Sequence, residues 1–335
     1  MNPLKAAFVA AACALLLPVS AAAEVELRRE YDVQLARNVV YGRAPINASQ
    51  DRPRQRDLLL DVYRPVADGK PLANRPAVIM AFGGAFHRGS KGEERFTEDG
   101  AQDSSMADYC SRFARDGYVC FSIDYRLTQE DPGLAQPVDE KKLVPKSVNL
   151  SPAGTARIEI VRQRMGLPPL DDQARDQYWR SILAAAEDMA MATEFVRGHA
   201  GKFGVDADRI ALGGFSAGAI TALNTAYGIG VPVKAVFALS GAVGGYNPSQ
   251  TVQAGMPPAL FFVGQNDLEG IQSGTRFVVK ALTDKGIAAE TAWVPGFGHF
   301  YPMGAVSLGS EISRAPVETR ILAFLEAKLG NKPRE

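Results

Sequence analysis

Histidine is scarce in this sequence, with three among 335 residues, at positions 87, 199 and 299. No two of them stand in a His-x-x-x-His spacing, and no glycine-rich turn ends in Lys-Ser or Lys-Thr ahead of a helix. Zinc and nucleotide chemistry therefore have no motif to rest on, and neither a metal nor an organic cofactor is expected. Cysteine is equally sparse, at positions 13, 110 and 120. Net charge is missing too: 37 basic against 37 acidic side chains give no electrostatic reason to expect nucleic acid or an anionic membrane as a partner. There is no internal repeat and no low-complexity tract, and no apolar run reaches the roughly 20 residues of a membrane span. What is present, at 46% hydrophobic and 22% charged, is a chain able to bury a large core.

Lys5, the small and apolar stretch from Ala6 to Pro18, and Ala21-Ala22-Ala23 before Glu24 have the layout of a secretory signal peptide. Residues 1–23 are expected to be a leader cleaved after Ala23, leaving 24–335 as one catalytic domain that is exported, to a periplasm or beyond the cell. The mature chain then keeps Cys110 and Cys120. Cys110 falls on the apolar stripe of an expected helix with Met106 and Phe113, and Cys120 falls in the strand that follows. An oxidising compartment permits a disulfide between them; two buried free thiols is the alternative, and the sequence leaves the choice open.

From about Leu58 onward, strand-like and helix-like segments alternate. "DLLLDVYRP", "PAVIMAF", "YVCFSIDYR", "RIALGG", "VKAVFALSG", "PALFFVG" and "AETAWVPG" read as strands. Helices are expected over 104–117, 172–200, from Ser216 onward, over about 270–285 and over 317–329. Short apolar strands separated by helices predict an α/β fold whose mostly parallel sheet is covered on both faces. The proline-rich stretch from Thr128 to Asp171, with one helix-like piece near 156–165, departs from this rhythm and reads as an insertion over the sheet, a lid or a solvated excursion.

Within "ALGGFSAGA", strand "RIALG" runs into Gly214-Phe215-Ser216-Ala217-Gly218 and then into an apolar helix. That is the context in which a sharp strand-to-helix turn exposes a serine hydroxyl as a nucleophile. A serine needs a base. His199 ends a long helix and His87 lies in an early loop, whereas His299 follows Ser216 in the glycine-flanked loop "PGFGHFYP", so His299 is the expected base. The acid belongs between them at the end of a strand, where "ALFFVG" leads to Asp267, with Glu269 as its competitor. Gly83 and Gly84, after "PAVIMAF", and the amide of Ala217 are the candidate oxyanion donors. Phe86, Phe215 and Phe300, with Phe82 and Tyr301 nearby, are candidates for an apolar substrate wall, though at least half of such residues belong to a core.

At these residues the sequence resembles the serine esterases of the α/β-hydrolase fold, and within them the carboxylesterase and hormone-sensitive-lipase-like branch. "LLLDVYRP", "PAVIMAFGGAFHRGS", "GYVCFSIDYRL", the segment from Ala184 through Ala219, "FFVGQNDLEG" and "GFGHF" match in the family's order across nearly the whole mature chain. The resemblance implies a Ser216, Asp267, His299 triad, an oxyanion hole from Gly83, Gly84 and Ala217, and a small or polymer-linked ester as substrate. It departs at the His-Gly-Gly-Gly motif, where Phe82-Gly83-Gly84-Ala85 stands instead. A peptidase or amidase on the same fold is one rival; a non-catalytic binding protein is another, disfavoured because binding needs none of the three residues.

Overall fold

The computed structural model describes residues 30–310 and 313–330, so the expected leader over 1–23 lies outside the described residues. The chain enters through an antiparallel hairpin of β1 (Asp32–Ile46) and β2 (Arg54–Ala67), extended by the short β3 (Lys70–Pro71). β1 is mostly exposed, and Asn38 at φ 58° marks a shift in its register. β4 (Arg75–Ala81) is buried along its whole length, and its apolar run over 76–81 suits the middle of a parallel sheet. A small hairpin, β5 (Thr97–Glu98) and β6 (Ala101–Gln102), precedes α1 (Met106–Arg115). Ser105 caps α1 in a reciprocal box with Asp108, and Gly117 at φ 97° turns the chain into β7 (Val119–Ile123). Cys110 and Cys120 are joined by a disulfide that ties α1 to β7.

The expected insertion carries α2 (Lys146–Asn149) and α3 (Pro152–Arg164). It has no core of its own: Ile158 of α3 packs into the same apolar cluster as the sheet. α4 (Asp172–Gly198), capped by Asp171, and the short α5 (Ala200–Phe203) lead to β8 (Val205–Phe215). Then follow α6 (Ala217–Leu223), whose C-terminal end widens into a π-turn over Asn224–Ile229, and β9 (Ala235–Leu239). α7 (Pro248–Thr251), β10 (Ala259–Gly264), α8 (Glu269–Thr283) and β11 (Ala289–Val294) come next. β12 (Val306–Leu308), β13 (Arg314–Pro316) and α9 (Val317–Leu329) close the chain.

The sheet runs in the order β1-β2-β7-β4-β8-β9-β10-β11-β12-β13. Its six middle strands, from β7 to β11, are mutually parallel, and the antiparallel pairings lie toward the edges. α6 and α9 both cover β8 and β9, α1 packs with α9, and α4 packs with α6. This arrangement is the expected α/β fold, and it brings the carboxyl ends of β4, β8, β9 and β10 to one rim. Open parallel sheets hold their chemistry at that rim.

Candidate active site

At the carboxyl end of β8 the chain reverses into α6 within a single residue, Ser216, held at φ 52° and ψ −116°. This is a strained conformation for a residue with a side chain, of the kind that persists where the surroundings over-determine it. Those surroundings are glycines. A Cβ on Gly214 would stand 2.4 Å from the backbone of Gly218, and one on Gly218 would stand 2.0 Å from the carbonyl oxygen of Ala81. The Ser216 amide donates to the carbonyl of Leu239 at 2.8 Å, which pins the turn to β9.

His299 reaches the same point from the loop after β11. Its Nε2 lies 2.8 Å from Ser216 Oγ, and its Nδ1 lies 2.7 Å from Asp267 Oδ1. A carboxylate only accepts, so the imidazole proton sits on Nδ1, leaving Nε2 free to accept from the serine hydroxyl. Both His299 and Asp267 are buried, in a medium where such bonds are stronger than in water.

Asp267 stands in the tight turn between β10 and α8 and is held at both oxygens. Oδ1 also accepts from the Leu268 amide at 2.8 Å; Oδ2 accepts from the Gly264 amide at 3.3 Å and from Ser240 Oγ at 2.6 Å. Ser240, at φ 48° after β9, is 3.1 Å from the Tyr301 hydroxyl. The Tyr301 hydroxyl also lies 3.4 Å from the Phe262 carbonyl, an acceptor for its proton. Burial, and then the charge of Asp267, push the Tyr301 phenol well above its ordinary range, which keeps it a donor. Ser240 carries no recognisable motif, and sequence reasoning missed it.

The turn after β4 passes beside the serine. A Cβ on Gly83 would lie 3.3 Å from Ser216 Cβ and 3.1 Å from the carbonyl oxygen of Phe215. Tyr125 donates to the Phe82 carbonyl at 2.8 Å while its ring stacks on that of Phe82 at 4.3 Å. Gly84, Ala85 and Phe86 all have positive φ, at 121°, 58° and 59°. Among the described residues no acceptor takes the N–H of Gly83, Gly84 or Ala217, although all three residues are buried. These three amides are therefore the candidate donors for an oxyanion formed at Ser216.

The aromatic candidates separate. Phe215 stacks on Phe300 with ring centres 5.7 Å apart, and both rings meet His299, at 5.8 and 5.1 Å. Phe86 instead packs against Tyr125 and Tyr178. All three phenylalanines are buried and join the main core. Of the other histidines, His199 ends α4 with Nδ1 on the Phe195 carbonyl, 2.8 Å away. His87 lies three residues after Gly84, its amide donating to the Gly84 carbonyl at 3.1 Å. Burial, helped by the nearby Arg162 charge and opposed by a bond to the Ala85 carbonyl, lowers its pKa to about 4. Among the described residues no three His, Cys, Asp or Glu side chains are grouped to hold a metal ion.

α3 lies alongside both walls of the site. Arg157 stands over the Phe300 ring at 5.8 Å, Arg162 reaches the ring of His87, and Arg157 and Arg164 share Glu98 of β5. The two guanidinium groups, Arg157 foremost, hold the Glu98 carboxylate down at about 2 despite partial burial.

A family model for phospholipases and carboxylesterases matches residues 171–261, a span that includes Ser216 and stops before Asp267 and His299. None of the curated proteins matches the sequence. Among solved structures, esterase 2 of Thermogutta terrifontis phosphorylated by paraoxon is similar at 20% identity and a TM-score of 0.54, over 92% of this chain and 97% of that one. The same esterase phosphoramylated by tabun gives 19% identity and a TM-score of 0.55, over 92% and 98%. Its propionate-bound form gives 18% and 0.53, over 92% and 98%. The likeness establishes the α/β-hydrolase fold.

Proposed function

We propose that this α/β-hydrolase cleaves carboxylic esters through a serine-bound acyl intermediate. The observation that carries the reading is the chain Ser216–His299–Asp267, linked at 2.8 and 2.7 Å, beside three buried amides that lack acceptors. His299 Nε2 takes the proton of Ser216 as Oγ attacks the ester carbonyl carbon. The oxyanion that forms is stabilised by the N–H groups of Gly83, Gly84 and Ala217, each such donor contributing about 3–4 kcal/mol. The imidazolium, stabilised by Asp267, gives its proton to the leaving alkoxide; the alcohol departs and the acyl group stays on Ser216. Water, deprotonated by the same nitrogen, attacks the acyl-enzyme, and the carboxylic acid and free serine are regenerated.

The family-model match to phospholipases and carboxylesterases supports an ester over an amide bond. Membership of the hormone-sensitive-lipase-like branch is proposed on the order of the matching segments alone, since Phe82-Gly83-Gly84-Ala85 stands where that branch has His-Gly-Gly-Gly. Phe215 and Phe300, stacked behind His299, are proposed to back the acyl side of the site from within the core. For export, the leader-like residues 1–23 are joined by an independent argument: a disulfide between buried Cys110 and Cys120 suits an oxidising compartment. A nitrophenyl ester and the nitroanilide of the same acyl group test the reaction class. The proposal expects hydrolysis of the ester and little of the anilide; faster anilide cleavage would make the chain an amidase.

A further inference from the structure

The oxyanion turn and α3 meet across a group of arginines that the acyl-transfer chemistry does not use. Arg162 is buried, and two neutral acceptors take its donors: the Pro168 carbonyl at 2.8 Å from Nε and the His87 ring at 3.2 Å from Nη1. A guanidinium only donates, so His87 accepts through Nε2 and keeps its proton on Nδ1, directed at the Ala85 carbonyl 2.8 Å away. Among the described residues no carboxylate pairs with Arg162. A buried cation without a counter-ion is costly enough that such groups are normally paired.

Arg88, one residue further along the turn, gives a second and independent sign. Its guanidinium lies over the Phe96 ring at 4.4 Å, and Phe96 meets Phe300, the neighbour of His299, at 6.2 Å. Its Nε is buried and has no hydrogen-bond partner. Burial, then the charges of Arg157 and Arg164, work against the Arg88 cation. The carboxylate beside this group, Glu98, is already shared between Arg157 and Arg164. Glu98 is thus taken by Arg157 and Arg164, and among the described residues neither Arg88 nor Arg162 has a carboxylate in hydrogen-bond contact.

We propose that Arg88 and Arg162 bind a carboxylate on the substrate, so that the preferred ester carries a free acid on its acyl or alcohol part. This rests on the esterase reading and narrows its substrate class. A carboxylate supplies what both side chains lack: acceptor oxygens for the open Nε of Arg88 and a negative charge for Arg162. The planar, forked donors of arginine suit that group well.

The test compares nitrophenyl hydrogen glutarate with its neutral methyl ester, in the wild type and in Arg162→Met and Arg88→Met. The wild type is expected to favour the acid in kcat/KM by about ten-fold or more, as a charge-assisted bond warrants, and added salt should erode the preference. Each variant should lose most of it, with Arg162→Lys retaining a part. The acid-to-ester ratio is read within each protein, so a general loss of activity does not mimic the effect, and the two sites give independent chances of a folded variant. Equal rates on the two esters in the wild type, or a preference that survives both substitutions, would overturn the proposal while leaving the esterase reading intact. Hydrolysis of neither ester would contradict the esterase reading and this inference with it.

Discussion

Ser240 Oγ lies 2.6 Å from Asp267 Oδ2, while the other oxygen of the same carboxylate faces His299. The acid of the candidate triad is therefore gripped from behind by a hydroxyl that is itself supported by Tyr301. Ser240→Ala removes a donor from the ionised form. We expect kcat to fall about ten-fold with little change in KM. Tyr301→Phe leaves the Ser240 bond in place and should show a smaller effect in the same direction. A Ser240→Ala protein of lower melting temperature but unchanged kcat would reduce Ser240 to a packing role.

Gly84 combines a φ of 121° with a Cβ direction only 2.0 Å from the carbonyl oxygen of Arg88. Gly84→Ala must therefore move the turn that carries the open amides. Loss of one correctly aimed oxyanion donor lowers kcat by about 100- to 1000-fold, and that is the expected outcome, with Ser216 still labelled slowly by a fluorophosphonate. Retention of full kcat would remove this turn from the mechanism.

Much of this site was legible in the sequence because its parts obey local rules. Ser216 lies between glycines that no other residue type can replace at that turn, and His299 was separated from His87 and His199 by chain order. The inner parallel strands β7, β9 and β10, being fully buried, show as largely apolar runs. β1 went unread because it is largely exposed and its register shifts, which erases any period-two pattern. Ser240 and the Arg162–His87 contact were invisible for another reason: their partners are 27 and 75 residues away, and only the tertiary fold brings them together. The aromatic wall expected from neighbouring phenylalanines proved to be buried core for the greater part of each ring.

Asp103 is buried beside the α1 N-terminus, where its carboxylate accepts from the Phe96 amide at 2.7 Å. Burial raises its pKa from 3.8 to about 7, against the pull of that amide and of Arg95. The folded protein thus holds this proton over a pH range in which the unfolded chain has lost it. Stability from Asp103 is complete below the unfolded pKa and is lost as pH rises through the folded one. Asp103→Asn keeps the oxygen acceptor without the charge. Its melting temperature, measured from about pH 4 to about pH 8, should gain on the wild type as pH rises; parallel curves would show that Asp103 does not titrate in this window.

Cys110 and Cys120 close a loop with a sequence separation of 10. In the chain-entropy model such a crosslink contributes about 2–3 kcal/mol. Both residues are fully buried, so reductant should act only on opened molecules. Urea unfolding with and without dithiothreitol is expected to show a lower midpoint in the reduced protein, and the Cys110→Ala, Cys120→Ala double variant should be insensitive to reductant. Identical midpoints for the wild type under both conditions would argue that the two thiols are not joined in solution.

The central claim is that Ser216 is the group acylated by substrate, and the direct measurement is hydrolysis of nitrophenyl esters of increasing acyl length by wild type and Ser216→Ala side by side. The account predicts turnover by the wild type and loss of at least about 1000-fold in the variant, whose fold is otherwise undisturbed. Equal rates in the two proteins would contradict it, leaving Ser216 as a turn residue and the 2.8 Å contact with His299 without a catalytic purpose.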